Sequence, residues 1–155
     1  KNATEYMRID GLGRVGIGVA NPAYKLDVSG DVRISDDLFV NAVEADDSIK
    51  IKTALLSNQE NTDVDTGTET VANVAIATYT AAFFDFVIKN GTNVRSGTVY
   101  ACHDGTNVEF TETSTNDLGD TSDVKLSVDI SGSNMRLLST ATSDNWSVKS
   151  LIRAI

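Results

Sequence analysis

Several residue types are scarce in this sequence, and each scarcity closes a class of structure. There is one cysteine, Cys102, in 155 residues, so no intrachain disulfide can staple the fold. A lone cysteine inside an alternating run reads as a small buried apolar side chain. There is one histidine, His103, which excludes a multi-histidine metal site within one chain; only copies meeting on a symmetry axis would assemble one. Lys and Arg number 13 against 22 Asp and Glu, a net charge of −9. Binding to nucleic-acid phosphates needs clustered cations. The basic residues here are scattered, and anionic membrane surfaces are disfavoured for the same reason. No apolar run approaches the ~18–20 residues of a membrane-spanning helix. Runs of helix formers are missing as well, and Pro22 is the single proline.

What is abundant is Thr, Ser, Asn, Asp and Gly, set among enough Val, Ile, Leu and Phe for a core. That is the composition of short strands and many turns, so the expected fold is all-β. The length suits one domain plus a short extension. The chain opens on Lys1 rather than Met, which is read as a fragment or processed product of something longer.

Residues 13–43, GRVGIGVANPAYKLDVSGDVRISDDLFVNAV, form a string of very short extended pieces. Apolar residues alternate in bursts: Val15, Ile17 and Val19; Leu26 and Val28; Val32 and Ile34; Leu38 and Val40. Each burst is strand-like, but none is long enough to bury its own apolar side. The simplest source of missing strands is another copy of the chain. Residues 1–53 are therefore expected to be an intertwined β-stalk shared between copies of the chain, with Val15, Ile17, Leu26, Val28, Val32, Ile34, Leu38 and Val40 at its interface. One short strand is expected near Tyr6 to Ile9, and SIKIKT at 48–53 alternates again as part of the stalk.

The polar stretch 57–70 (SNQENTDVDTGTET) has no apolar period and reads as a linker loop. Residues 54–155 are expected to form a β-sandwich, jelly-roll-like, because strand patterns recur at regular spacing. Strands are expected near 71–78, 82–90, 93–102, 107–114, 123–130, 134–141 and 145–154. Asn90-Gly91, Asp104-Gly105 and Ser131–Asn134 would join them as tight hairpins. A two-residue turn at Asp104-Gly105 would set Ala101 opposite Val108 and Val99 opposite Phe110. Phe83, Phe84 and Phe86 in the run FFDFVI leave little polar surface on either side, so this strand is central or forms a subunit contact.

Two stretches carry a resemblance. Val15 to Gly18, Pro22, Lys25 to Gly30 and Asp31 to Ser35 resemble the VGIG…P…KLDVSG…RIS segment of tail-fibre and virion structural proteins of tailed bacteriophages. From about Thr70 onward, Ala77 to Tyr79, His103 to Asn107 and Asp129 to Leu138 are similar to a terminal β-domain of marine and cyanophage-type virion fibres. The resemblance implies a homotrimeric fibre, its C-terminal part, placed on the virion and presenting a tip to the host cell surface. It implies upstream fibre or virion proteins, and a host glycan or protein, as partners.

Catalytic and cofactor motifs are thin. Gly11, Gly13 and Gly16 formally match a dinucleotide fingerprint, but extended residues and Pro22 follow where a helix is required. Asp63, Asp65 and Glu69 offer carboxylates for Ca²⁺, yet Gly67 falls at the fifth loop position and Val74 at the twelfth, against the EF-hand pattern. Cys102 and His103 are adjacent and so point to opposite faces of a strand. No carboxylate pair with a long groove for glycoside cleavage is legible. Asn2, Asn90 and Asn145 sit in N-x-[ST] sequons. No enzyme activity and no cofactor are expected. Binding is expected on the loops and rims of the head, with Tyr100, His103, Asp104, Asn107, Asn116, Asp117, Asn145 and Trp146 as receptor-contact candidates. For Trp146, an aromatic in the final strand, a core position is the stronger expectation. The competing readings are a virion decoration protein without receptor binding, a glycan-degrading tailspike, and a bacterial trimeric adhesin head.

Overall fold

The computed structural model describes residues 6–40, 43, 45 and 48–155; the Asn2 sequon lies outside them. The chain separates into two compact units, residues 1–43 and 44–155. The expected division at 53/54 falls instead just beyond a hairpin turn. Ser48–Ile51 (β4) pairs with the following strand of the second unit, from Ser48 opposite Ser57 to Ile51 opposite Ala54, so its backbone groups find partners there.

In the first unit, three short strands form a sheet: Met7–Ile9 (β1), Val15–Ile17 (β2) and Leu26–Val28 (β3). β1 pairs antiparallel with β2, and β2 parallel with β3. The turn between β1 and β2 is closed by Asp10, whose carboxylate accepts the Leu12 and Arg14 backbone N–H groups and holds the Arg14 guanidinium at 2.7 Å. These bonds, the Arg14 N–H first, hold the Asp10 carboxyl below its ordinary range. The expected bursts at Val32/Ile34 and Leu38/Val40 form no strands. A β-strand exists only by hydrogen bonding to a neighbour, and the single chain offers these residues none.

The second unit is a β-sandwich-like domain. Its larger layer has six antiparallel strands in the order β4, Ala54–Val64 (β5), Trp146–Ala154 (β12), Ala81–Asn90 (β7), Asn93–His103 (β8), Val108–Ser114 (β9). The second layer is the hairpin of Val124–Ser131 (β10) and Asn134–Ala141 (β11), flanked by Gly67–Ala75 (β6). β6 is tied to β11 through Thr66, bridged to Ala141, and through the Ile76 N–H on the Ser133 carbonyl. Between the layers, Phe84, Phe86, Ile88, Val99, Leu137, Trp146, Val148 and Ile152 bury their side chains in one core. Alternation produces this directly. Along β7 and β12 every second residue is buried, and its neighbours face the other side of the sheet.

The expected linker at 57–70 is corrected. β5 and β6 occupy nearly all of it, joined by Asp65-Thr66. The apolar period was invisible because Ser57, Gln59 and Asn61 take inward positions on β5, opposite Ile152, Ser150 and Val148. Gln59 is satisfied by two bonds to the Asn73 backbone, so a polar strand is tolerated at the sandwich rim. The β7–β8 hairpin turns on Gly91-Thr92 between the paired Asn90 and Asn93, with Gly91 at φ +58. That value sits in the left-handed region glycine enters freely.

The β8–β9 connection is also corrected: His103 pairs with Val108, leaving a four-residue loop at 104–107. Ala101 therefore faces Phe110, and Val99 faces Glu112. The register slips by two, so each residue keeps its expected face of the sheet. Gly97, opposite Phe86 and Ser114, lies where β9 crosses close. A Cβ there would stand 2.2 Å from the Thr113 carbonyl oxygen and 2.8 Å from Ser114 Cα.

Candidate functional site

The eight receptor-contact candidates do not converge. β8, with 11 residues, spans ~35 Å at ~3.3 Å per residue, and the candidates are divided between its two ends and its outward face. His103, Asp104 and Asn107 lie at one end; Asn116, Asp117 and Asn145 lie at the other. Tyr100 lies on the outward sheet face. Trp146 is 2% exposed and packs in the core, with its indole N–H donated to Ser143 Oγ at 2.9 Å. It is removed from the contact set, because alternation along β12 aims it inward with Val148.

At the first end the side chains hold the turn itself. Asp104 accepts the backbone N–H groups of Thr106 and Asn107 at 2.8 and 2.7 Å, and the Asn107 side-chain amide at 2.9 Å. Those bonds, led by the Asn107 N–H, lower the Asp104 carboxyl to about 2. His103 Nδ1 accepts the Gly105 N–H at 3.0 Å, which leaves Nε2 as the donor to the Tyr79 carbonyl at 2.7 Å. Both ring nitrogens are thereby engaged in a neutral tautomer. Cys102 points to the opposite face, as its position next to His103 requires, and is exposed there, which corrects the expectation of a buried side chain.

The second end is a knot of loops. Asp144 accepts the Thr66 N–H and hydroxyl, and the Asn145 N–H reaches Asp65 at 3.2 Å. Asn145 itself sits at φ +66. Asp117 accepts the Thr121 N–H and hydroxyl, and Asn93 reaches across to the Asp120 N–H. Asn116 is exposed beside this knot.

Two of the three candidate calcium carboxylates, Asp65 and Glu69, are spent on the same connection. Glu69 accepts the Asn61 amide and the Asp65 N–H with separate oxygens, and Asp65 accepts Asn145. No group of three or more His, Cys, Asp or Glu able to hold a metal converges among the described residues. Asp65 and Glu69 close a turn instead of facing a common point.

The subunit-contact candidates divide by parity. Phe84 and Phe86 are fully buried inside their own chain, so they are corrected to core residues. Phe83 faces outward on the six-stranded sheet and meets Tyr100 edge to face, with centroids 5.9 Å apart. A site thus exists that neither residue announced alone. The Arg153 guanidinium lies 4.9 Å over the Phe83 ring and pairs with Asp85 at 3.0 Å, while Thr98 donates to Asp85 at 2.6 Å. Partial burial pushes the Asp85 carboxyl up, but Arg153 and Thr98 together outweigh it and hold it below the ordinary range.

Three shallow depressions meet around this centre. One of ≈360 Å³ is lined by Phe83, Tyr100, Cys102 and Glu109. A second, of ≈510 Å³, is lined by Asp85, Val87, Thr98 and Thr113. A third, of ≈340 Å³, is lined by Ile51, Leu56, Phe83 and Arg153. The arrangement offers an apolar and aromatic surface whose central Arg153 and Asp85 charges are paired, suited to contact.

The sequence carried half the signal for it. Phe83, Asp85 and Val87 share a parity on β7, and so do Lys149, Leu151 and Arg153 on β12. Which strands lie side by side was not legible.

No protein-family model matches the chain, and no curated protein matches it. Among solved structures, it is similar to the tailspike protein of Acinetobacter phage vB_ApiP_P1, with 16% identity and a TM-score of 0.44. The match covers 84% of this chain and 30% of that one.

Proposed function

We propose that this chain is a structural fibre-type protein of a tailed-bacteriophage virion, working as a homotrimer that presents its β-sandwich for attachment to the host cell surface. Residues 1–43 act as the assembly segment and residues 44–155 as the carried head. The observation that carries this reading is the exposure of the first unit. Val32, Leu38 and Phe39 are 64%, 62% and 91% exposed, and Met7, Ile9, Leu12, Tyr24 and Leu26 are exposed as well. Isolated exposed apolar residues are ordinary on a soluble protein, but contiguous ones mark an interaction surface. Here almost every large apolar side chain of the unit lies outside, either on strands three residues long or on chain that forms no strand.

The motif match through Val15–Gly18 and Lys25–Ser35 gives the same answer from the sequence side. Attachment would work by multivalency, since three linked heads raise the effective strength of weak single contacts. The test is the solution mass of the 155-residue chain by multi-angle light scattering. A mass of three chains is expected, and a folded, monodisperse monomer would overturn the reading. Adsorption of labelled trimer to host cells then separates a receptor-binding fibre from a decoration protein, which would not adsorb.

A further inference from the structure

The outward face of the six-stranded sheet does not look like a face built for water. A sheet packed on one side normally carries polar residues on the other. Here Leu151, Val87 and Tyr100 are 44%, 42% and 43% exposed across the middle strands, and Ile51 is 66% exposed at the edge. Phe83 and Leu56 fill the spaces between them.

The charges on this face sum to zero: Lys89 and Glu109, exposed towards its opposite ends, offset each other in sign, and the other four are paired. Arg153 is paired with Asp85, and Lys149 is paired with Glu60 at 2.9 Å. Arg153 also covers the Phe83 ring with its guanidinium, an arrangement that combines cation–π contact and packing.

We propose that this face, centred on Phe83, Val87, Leu151 and the Arg153–Asp85 pair, packs against the matching faces of sister copies of the chain around the assembly axis. The inference rests on the trimeric reading above and locates where the heads meet.

Two observations select a second copy as the occupant. The first is charge. A chain of net charge −9 repels its own copies over most of its surface, and close approach is cheapest where opposite charges are already paired. A cationic partner would be drawn to the acidic loops instead. The second is area. Six strands at ~4.8 Å spacing and about eight residues at ~3.3 Å describe a face of roughly 760 Å². A standard interface buries ~800 Å² per partner, so one sheet face with its rim is close to sufficient. The face also exceeds what a single small-molecule ligand covers.

The test uses the full chain with Cys102→Ser to silence the native thiol and Leu151→Cys to place a probe at the centre. Val87→Cys is a second probe position should the first perturb folding. Ser133→Cys, exposed in the β10–β11 turn of the other layer, is the reference. Maleimide labelling is followed by mass spectrometry, alongside the light-scattering mass. Thiol reactivity follows access, so a three-chain mass with the face probes labelled at least ~10-fold slower than the reference is expected. A three-chain mass with face probes as reactive as the reference overturns this inference and leaves the trimer intact. A monomeric mass overturns both. Fast labelling that slows only when host-surface polysaccharide is added overturns the inference too, and assigns the face to that ligand.

Discussion

Replacing Gly97 with alanine tests the close crossing of β8 and β9. The added Cβ would lie 2.2 Å from the Thr113 carbonyl oxygen, 2.8 Å from Ser114 Cα and 3.0 Å from Phe86 Cζ. Two of those three atoms are backbone, so no side-chain rotation relieves them. Relief requires β9 to move away by about 1 Å, at the cost of ladder bonds to β8. Overpacking of this kind destabilises by ~1–3 kcal/mol, and the backbone contacts favour the upper half of that range. For a domain of this size, ~2–3 kcal/mol corresponds to a fall in Tm of roughly 6–15 °C.

The companion Gly91→Ala isolates conformation from crowding. Nothing lies within 4 Å of its added Cβ, but φ is +58. Its cost is therefore the ~1–2 kcal/mol left-handed penalty alone. Urea and thermal melts of the wild type and both variants give the comparison. A Gly97→Ala protein melting within 2 °C of wild type, on the same ~1 kcal/mol scale, would refute the crossing geometry.

Three further outcomes are expected. Ser150→Ala should leave stability unchanged or raise it by up to ~1 kcal/mol, since the buried Ser150 hydroxyl has no hydrogen-bond partner and its desolvation is uncompensated; a loss above that size in urea melts contradicts it. The Asp104 carboxyl is lowered to about 2 from 3.8, so its contribution to the 104–107 loop is complete above the ordinary value and is lost as pH falls from there through about 2. NMR shifts of the Thr106 and Asn107 amides should titrate near pH 2, and a midpoint near 3.8 would contradict the bonding. Arg153→Met should raise the Asp85 carboxyl, because burial then works against Thr98 alone; a carboxyl ¹³C titration that does not move upward rules out the pairing.

The sequence by itself determined the class of fold and most of the strands of the head. Alternation at 124–130 and 146–154 carried its own inside and outside, and residues at the turns named the hairpins, because strand parity and turn chemistry are local properties. It also showed that the first unit cannot bury itself, since no burst there is long enough. Tertiary structure decided what depends on neighbours. Residues 57–70 are strand because the Asn73 backbone, Glu69 and β12 satisfy polar groups that looked like a loop. Phe83 was separated from Phe84 and Phe86 by which side of β7 meets the second layer. The outward face exists because β12 inserts between β5 and β7, setting Leu151 and Arg153 beside Phe83 and Asp85. Strand order across a sheet is set by contacts far apart in the chain, and no local spacing encodes it.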